Sequence, residues 1–238
     1  MKKLLKNLIK SPTVLTFYYK WKYRKYAKLN REQSFSKIYR DKLWGGVQTG
    51  EFSSGKGSHN KDVIGKYISA VGDFLKSGKY SVVDLGCGDF NVGKELVPFA
   101  NSYIAVDIVK DLIEYNSLKF SNLDVVFCCC DIVEDELPKG DVVLIREVLQ
   151  HLDNRDISTV LPKLVNGFTN IILTEKIPVG DFMPNKDKLT GSGPSSRFVL
   201  DSGVVLDEPP FSLKYKSRLE LCSIRIDNYL LKTTLFVM

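Results

Sequence analysis

Residues 82–93 read VVDLGCGDFNVG. A short apolar run breaks into glycines and then resumes with apolar positions, the pattern of a buried strand that turns sharply into a helix. Such a turn lets backbone N–H groups approach a small ligand at the end of a strand. The glycines alone leave the ligand open.

The residues around them narrow it. A dinucleotide asks for G-x-G-x-x-G, but counting from Gly86 and Gly88 the third position is Asn91 and the next glycine is Gly93, so the fingerprint fails. Asp84, two residues before Gly86, places a carboxylate at the mouth of the turn. It would repel a pyrophosphate and suits a ligand carrying an ammonium and a sulfonium. Asp107 ends the next strand, where an acidic side chain takes ribose hydroxyls. S-adenosylmethionine has both features. Asp131 follows the third strand in CCCDI, at the height expected for an adenine amino group. A second glycine stretch, GEFSSGKGS (50–58), nearly matches a phosphate loop, but Gly57 stands where the Mg²⁺-holding hydroxyl belongs and no strand precedes it. It reads instead as a flap, or as a lid over the methionine end of the cofactor with Trp44 shielding it.

Outward from the glycine turn, apolar runs at 80–85, 103–106, 125–129, 142–145 and 171–174 alternate with helical patterns at 92–99, 112–120 and 157–167. Before them, Val63, Ile64, Tyr67, Ile68, Val71, Phe74 and Leu75 keep helical spacing, with Gly78 placed to stop the helix. Strands of this kind imply a parallel sheet covered on both faces, with its ligand site at the carboxyl ends. The tail differs: LELCSIRI and YLLKTTLFVM flank Asp227-Asn228 as a hairpin. Residues 38–60 read as an irregular connector, and 176–218 as a long polar segment of the kind that carries function.

As a set, VVDLGCG, AVDIV, CCCDI and DVVLIREVLQHL resemble the class I S-adenosylmethionine-dependent methyltransferases over about residues 81–175. The resemblance implies an α/β, Rossmann-like doubly wound fold with a mostly parallel seven-stranded sheet and a C-terminal antiparallel hairpin. It implies S-adenosyl-L-methionine as cofactor, with Trp44, Asp84, Gly86, Gly88, Asp107, Ile108, Asp131, Ile132 and Arg146 around it. The N/D-P-P-Y/F segment of amino-group methyltransferases is absent, Arg146-Glu147-Val148-Leu149 standing in its place, which argues against nucleobase nitrogen and protein glutamine as acceptors. A neutral alcohol needs a base, and His151, one of two histidines, follows the fourth strand closely enough to serve, with Glu147 beside it. IYRDKLWGG, SSGKGS, REVLQHL and DEPPFSL are similar to a bacterial and large-virus group of methyltransferases found with surface-glycan biosynthesis. That similarity implies metal-independent O-methylation of a sugar hydroxyl, on a glycan or nucleotide sugar. The connector 44–58 and residues 176–218, Asp201 to Phe211 above all, are expected to wall the acceptor pocket.

The chain has 238 residues and a formal charge of +6, unevenly placed. Residues 1–31 hold ten cationic side chains and no acidic one, so the basic character belongs to an arm and the remainder is mildly acidic. Two short helices separated by Ser11-Pro12 are expected in it. The division is an arm at 1–43 and a methyltransferase domain at 44–238, with 176–218 as a substrate-side insertion. Mixed with leucines, Phe17, Tyr18, Tyr19 and Trp21, the cations of 1–31 suit peripheral contact with an anionic membrane and are expected to be dispensable for chemistry. Two alternatives stand beside this: RNA binding through the same lysines and aromatics, and a non-catalytic scaffold that only holds cofactor. No apolar run reaches the ~18 residues of a membrane span, and lysines interrupt any signal-like segment, so a cytoplasmic protein is expected, peripheral at most on the inner face of the membrane. The five cysteines, Cys87, Cys128, Cys129, Cys130 and Cys222, read as reduced and mostly buried, with no metal-ligand spacing.

Overall fold

The computed structural model describes residues 12–45 and 52–238. Helix α1 (Pro12–Lys22) opens on a proline, which a first helical turn tolerates because that N–H has no intrahelical partner anyway. The helix expected before Ser11, and residues 46–51 of the connector, lie outside the described residues. Helix α2 (Arg31–Arg40) starts under a reciprocal cap between Asn30 and Gln33. It takes in 38–40, which the sequence reading gave to the irregular connector; the glycines that suggested irregularity lie further on, and Ile38 is fully buried. Helix α3 (Lys61–Gly78) is capped by the Asn60 side chain, stops at Gly78, and buries Val63, Ile64, Tyr67, Val71 and Leu75.

From there strands and helices alternate: β1 (Ser81–Leu85), α4 (Gly93–Leu96), β2 (Ser102–Asp107), α5 (Lys110–Lys119), β3 (Val126–Cys129), β4 (Val142–Arg146), α6 (Asn154–Gly167) and β5 (Asn170–Pro178). The hairpin of β6 (Ser217–Ile226) and β7 (Tyr229–Val237) closes the chain. The seven strands form one sheet in the order β3-β2-β1-β4-β5-β7-β6. β1 to β5 run parallel, and β7 is antiparallel to both its neighbours. This is the Rossmann-like fold expected.

Alternation along each strand sends neighbours to opposite faces. Val83, Leu85, Val143, Ile145, Ile171 and Leu173 pack with Ile157, Val160 and Leu164 of α6. Val82, Leu144 and Ile172 pack on the other face with Tyr67, Val71 and Leu75 of α3. The chain leaves β1 toward β2 on one side and returns through β4 on the other, so a crevice opens between the carboxyl ends of β1 and β4.

β5 runs past Thr174, where the sequence reading ended it at the polar Glu175-Lys176. It continues because β7 pairs with it throughout, Glu175 facing Lys232 and Lys176 facing Leu231. The extension carries Glu175 and Lys176 beyond the end of β4, whose last paired residue, Arg146, faces Thr174. Residues 176–218 are correspondingly not all loop. Their two ends belong to β5 and β6, and Val204, Leu206 and Leu213 enter the core beside α6.

Only Cys130 of the five cysteines is buried; Cys129 is exposed and the others half-buried. Three of them lie on or next to β3, the edge strand of the sheet, which corrects the expectation of mostly buried thiols. Among the described residues no helix is long and apolar enough to cross a membrane.

Candidate active site

The crevice holds a cavity bordered by every cofactor and catalytic residue expected from the sequence: Trp44, Asp84, Gly86, Gly88, Asp107, Ile108, Asp131, Ile132, Arg146, Glu147 and His151. Its floor is the glycine turn. Gly86 and Gly88 sit at φ +74° and +57°, and a Cβ on either would collide, with Val148 and with Ser54 respectively. The N–H groups of Gly86 and Cys87 both donate to Val106 O, which ties the turn to β2. Asp107 braces it, its carboxylate accepting from Gly88 N at 3.1 Å and Val109 N at 3.0 Å. Burial pushes Asp107 up to about 6 despite those donors. Asp84 is driven up to about 6 for the same reason, opposed by the Tyr103 hydroxyl that donates to it at 3.0 Å and by Arg146. Two carboxylates starved of positive charge therefore face one cavity.

The stretch 52–58 is held down on this floor. Ser54 N donates to Asp89 Oδ2 at 2.8 Å, and Asp89 N returns a bond to Ser54 Oγ at 2.7 Å. His59 Nε2 reaches the same carboxylate at 2.7 Å, and Asn91 donates to Ser58 O at 2.6 Å. Arg146 adds bonds to Ser58 Oγ and Gly57 O from the end of β4. Its hydrogen bonds thus go to this segment, not to the imidazole of His151. Asp89 and Ser54 were missed by the sequence reading because their pairing joins two glycine-rich stretches with no shared periodicity.

α2 forms the roof. Arg31, Phe35 and Tyr39 border the cavity, and Arg31 Nε donates to Asp131 at 2.9 Å while Nη1 reaches Asp156 at 3.1 Å and Nη2 reaches Glu134 at 2.5 Å. Asp131, expected to be left for an adenine amino group, already carries this cation and Val133 N. Tyr39 bonds Ser54 Oγ at 3.3 Å, and its phenol is raised by burial. The boundary drawn after residue 43 therefore runs through the site, and Arg31 cannot be counted with a dispensable arm. Positions 31, 35, 38 and 39 form one helical stripe, a pattern the density of lysines nearby concealed.

The acceptor end lies between β4 and β5. Glu147 sits at φ +58°, a conformation L-residues seldom adopt, with its N–H bonded to Thr174 O at 2.7 Å. Burial would raise its carboxyl, but Lys176 at 2.8 Å and Arg146 at 3.5 Å outweigh that and hold it below the usual range. His151 closes a single 3-10 turn (Leu149–His151) and packs against Trp44 and Phe35, ring centroids 5.0 and 6.4 Å away. Burial, with the Lys188 and Lys176 cations acting in the same sense and Glu147 against them, drives the imidazole down to about 3. Its Nδ1 is buried with no partner among the described residues.

Three buried polar side chains fix the backbone of that turn. Arg197 donates to Leu149 O at 3.0 Å, Glu175 accepts from Gln150 N at 3.3 Å, and Lys188 donates to His151 O at 2.6 Å. Of residues 176–218, Lys176, at the end of β5, and Pro194 and Ser196 border the cavity. Asp201 to Phe211, expected to choose the acceptor, does not; Ser202, Val204 and Leu206 are buried as structure.

Residues 82–167 match the family model of a methyltransferase domain. A comparison with curated proteins finds no match. Among solved structures, the chain is similar to the N-methyltransferase NodS from Bradyrhizobium japonicum WM9 in complex with S-adenosyl-L-homocysteine, at TM-score 0.59 and 12% identity over 86% of this chain and 98% of that one. It is similar to magnesium protoporphyrin IX methyltransferase ChlM from Synechocystis PCC 6803 with bound S-adenosylmethionine, at 0.56 and 14% over 89% and 99%. The N-terminal domain of EvdMO1, in the presence of S-adenosylhomocysteine and D-fucose, follows at 0.51 and 12% over 85% and 95%. At these identities the likeness is one of fold, and the stretch that the family model matches runs from β1 to α6.

Proposed function

We propose that the S-adenosylmethionine-dependent methyltransferase domain of this chain acts on a hydroxyl oxygen, that of a sugar, with His151 receiving the proton. The observation that carries the reading is His151 itself: a neutral imidazole on the cavity wall, held by its own backbone, with a buried ring nitrogen that no donor among the described residues satisfies.

The residues fit the cofactor. Asp84 and Asp107, raised by burial, gain from a cationic ligand and from hydroxyl donors. S-adenosylmethionine supplies a methyl group on a sulfonium, open to in-line displacement by the acceptor oxygen. The protein has to align that oxygen and exclude water. Trp44, Phe35 and Tyr39 cover the cavity with aromatic surface, and the clamp of Arg197, Glu175 and Lys188 fixes where the imidazole stands. His151 takes the hydroxyl proton as the C–O bond forms. The charge it gains replaces the one lost at the sulfonium, so the cavity holds the same net charge before and after. Glu147 and a backbone hydrogen bond with Gly193 favour the imidazolium and support this. The sugar reading draws support from EvdMO1, a protein of this fold solved in the presence of D-fucose.

Incubation with methyl-labelled cofactor and a panel of nucleotide sugars and oligosaccharides should give a product heavier by one methylene, with the label on a hydroxyl oxygen of the sugar. His151→Ala should lower kcat by about 10²–10⁴ with cofactor affinity little changed. Because the imidazole stays neutral well below pH 7, the wild-type rate should show no acid limb from it between pH 5 and 8. Unaltered turnover in His151→Ala returns the residue to a structural role; label on a nitrogen overturns the hydroxyl acceptor.

A further inference from the structure

The cavity bordered by His151 is about 250 Å³, below the ~300–1,000 Å³ of ordinary small-molecule clefts. It has to take the cofactor as well as the reacting end of the acceptor. The rest of the acceptor therefore lies elsewhere. A second cavity, about 450 Å³, opens between the end of α1 with its following turn and residues 189–194. The two adjoin: Pro194 borders both.

The second cavity is lined by two cations, Lys20 and Arg24, by the rings of Tyr23 and Tyr26, and by Thr190 and Ser192, with no acidic residue among its lining. Lys20 makes no salt bridge among the described residues, and Arg24 spends one donor, on Trp21 O. Its opposite wall is fixed relative to the reacting end. Gly193 N donates to His151 O at 2.8 Å, Lys188 bridges His151 O and Gly193 O, and Ser192 Oγ donates to Asp156, the acid that also holds Arg31. A cationic, ring-lined hollow held in register with His151 suits a ligand whose one end is methylated and whose other end is a phosphate. A guanidinium presents its donors in a fork that matches phosphate oxygens, and a lysine adds a point charge.

We infer that this second cavity is an acceptor subsite for the phosphate group of a diphosphate-linked saccharide, held by Lys20 and Arg24, with Tyr23 against the group beyond it. The inference rests on the sugar reading above for the saccharide and on the cavity alone for the phosphate. The diphosphate comes from a nucleoside or from a lipid carrier; the chemistry recognised is the same.

The phosphate is tested without turnover. Binding of inorganic pyrophosphate to the full chain saturated with S-adenosylhomocysteine, measured by calorimetry, should weaken about tenfold or more in each of Lys20→Glu and Arg24→Glu, the scale of charge-assisted hydrogen bonds. The Kd for S-adenosylhomocysteine and the melting temperature of each variant report whether the fold is kept. With a uridine diphosphate sugar and a short-chain polyprenyl diphosphate sugar as acceptors, the loss should fall on KM rather than kcat. The wild-type KM should rise with salt, and the variants should lose that dependence. Whichever acceptor is methylated identifies the carrier. Pyrophosphate binding that both variants retain overturns the subsite even if sugars are methylated. Pyrophosphate binding that both lose supports it even if the methylated atom proves not to be a sugar oxygen.

Discussion

Asp84 and Asp107 are each legible in the sequence as an acid beside a glycine turn, yet their environment is not. Both are buried, and both are pushed up to about 6. A cationic ligand lowers the pKa of a carboxylate beside it, so binding releases protons. Affinity is then full above pH 6 and weakens as pH falls below it. Calorimetry across pH 5–8 should show this, and Asp107→Ala should cost roughly 1.5–3 kcal/mol of cofactor affinity at pH 7.5. Glu175 gives a second titration. Burial raises it to about 8, and its Oε2 has no partner among the described residues. A carboxyl raised in the folded state stabilises fully below its unfolded value, near 4.3, and loses that contribution as pH rises through 8. Glu175→Gln keeps the acceptor for Gln150 N and removes the charge. Its melting temperature should therefore gain on wild type progressively from pH 6 to pH 9, and a constant difference would mean the carboxyl ionises freely.

The elements that hold the site divide by how the sequence announces them. β1, β2 and β4 are apolar runs with an acid or charged residue at the carboxyl end, and their order follows from alternation with helices, so the floor of the cavity could be read in advance. The roof could not. α2 belongs to it through Arg31, Phe35, Ile38 and Tyr39, but Arg31 stands among ten cations and looks solvated until Asp131, Asp156 and Glu134 are seen around it. The continuation of β5 was hidden for a related reason. Glu175 and Lys176 are polar, and only the antiparallel pairing with β7 makes them strand. Arg31→Ala leaves three acids facing one another where a cation stood, and α2 loses its anchor. Cofactor affinity should fall about tenfold by calorimetry. Tighter binding would show that Arg31 competes with the ligand for Asp131.

At the scale of the whole molecule, α1 has two roles to reconcile. Lys20 borders the second cavity, while Val14, Phe17, Tyr18 and Trp21 are exposed at the i, i+3, i+4, i+7 spacing of a single helical face. Exposed rings on one stripe, in a segment without acidic residues up to Arg31, keep the anionic membrane surface as the proposed partner of this face. Flotation with vesicles containing about a third anionic lipid should carry the chain upward, and Phe17→Ser with Trp21→Ser should abolish it. Equal flotation with neutral vesicles, or no loss in the double variant, removes the electrostatic and the aromatic contributions respectively.

Two contacts hold the segments that border the cavity, Arg31 to Asp131 under α2 and the Ser54–Asp89 pair beside the glycine turn. If spent cofactor leaves past these contacts, both have to open first. Product departure is then slower than the methyl step itself, and a rapid mixing experiment should show a burst of one methylated acceptor per enzyme before a slower steady state. Arg31→Ala should shorten the residence time of S-adenosylhomocysteine and flatten the burst, trading affinity for throughput.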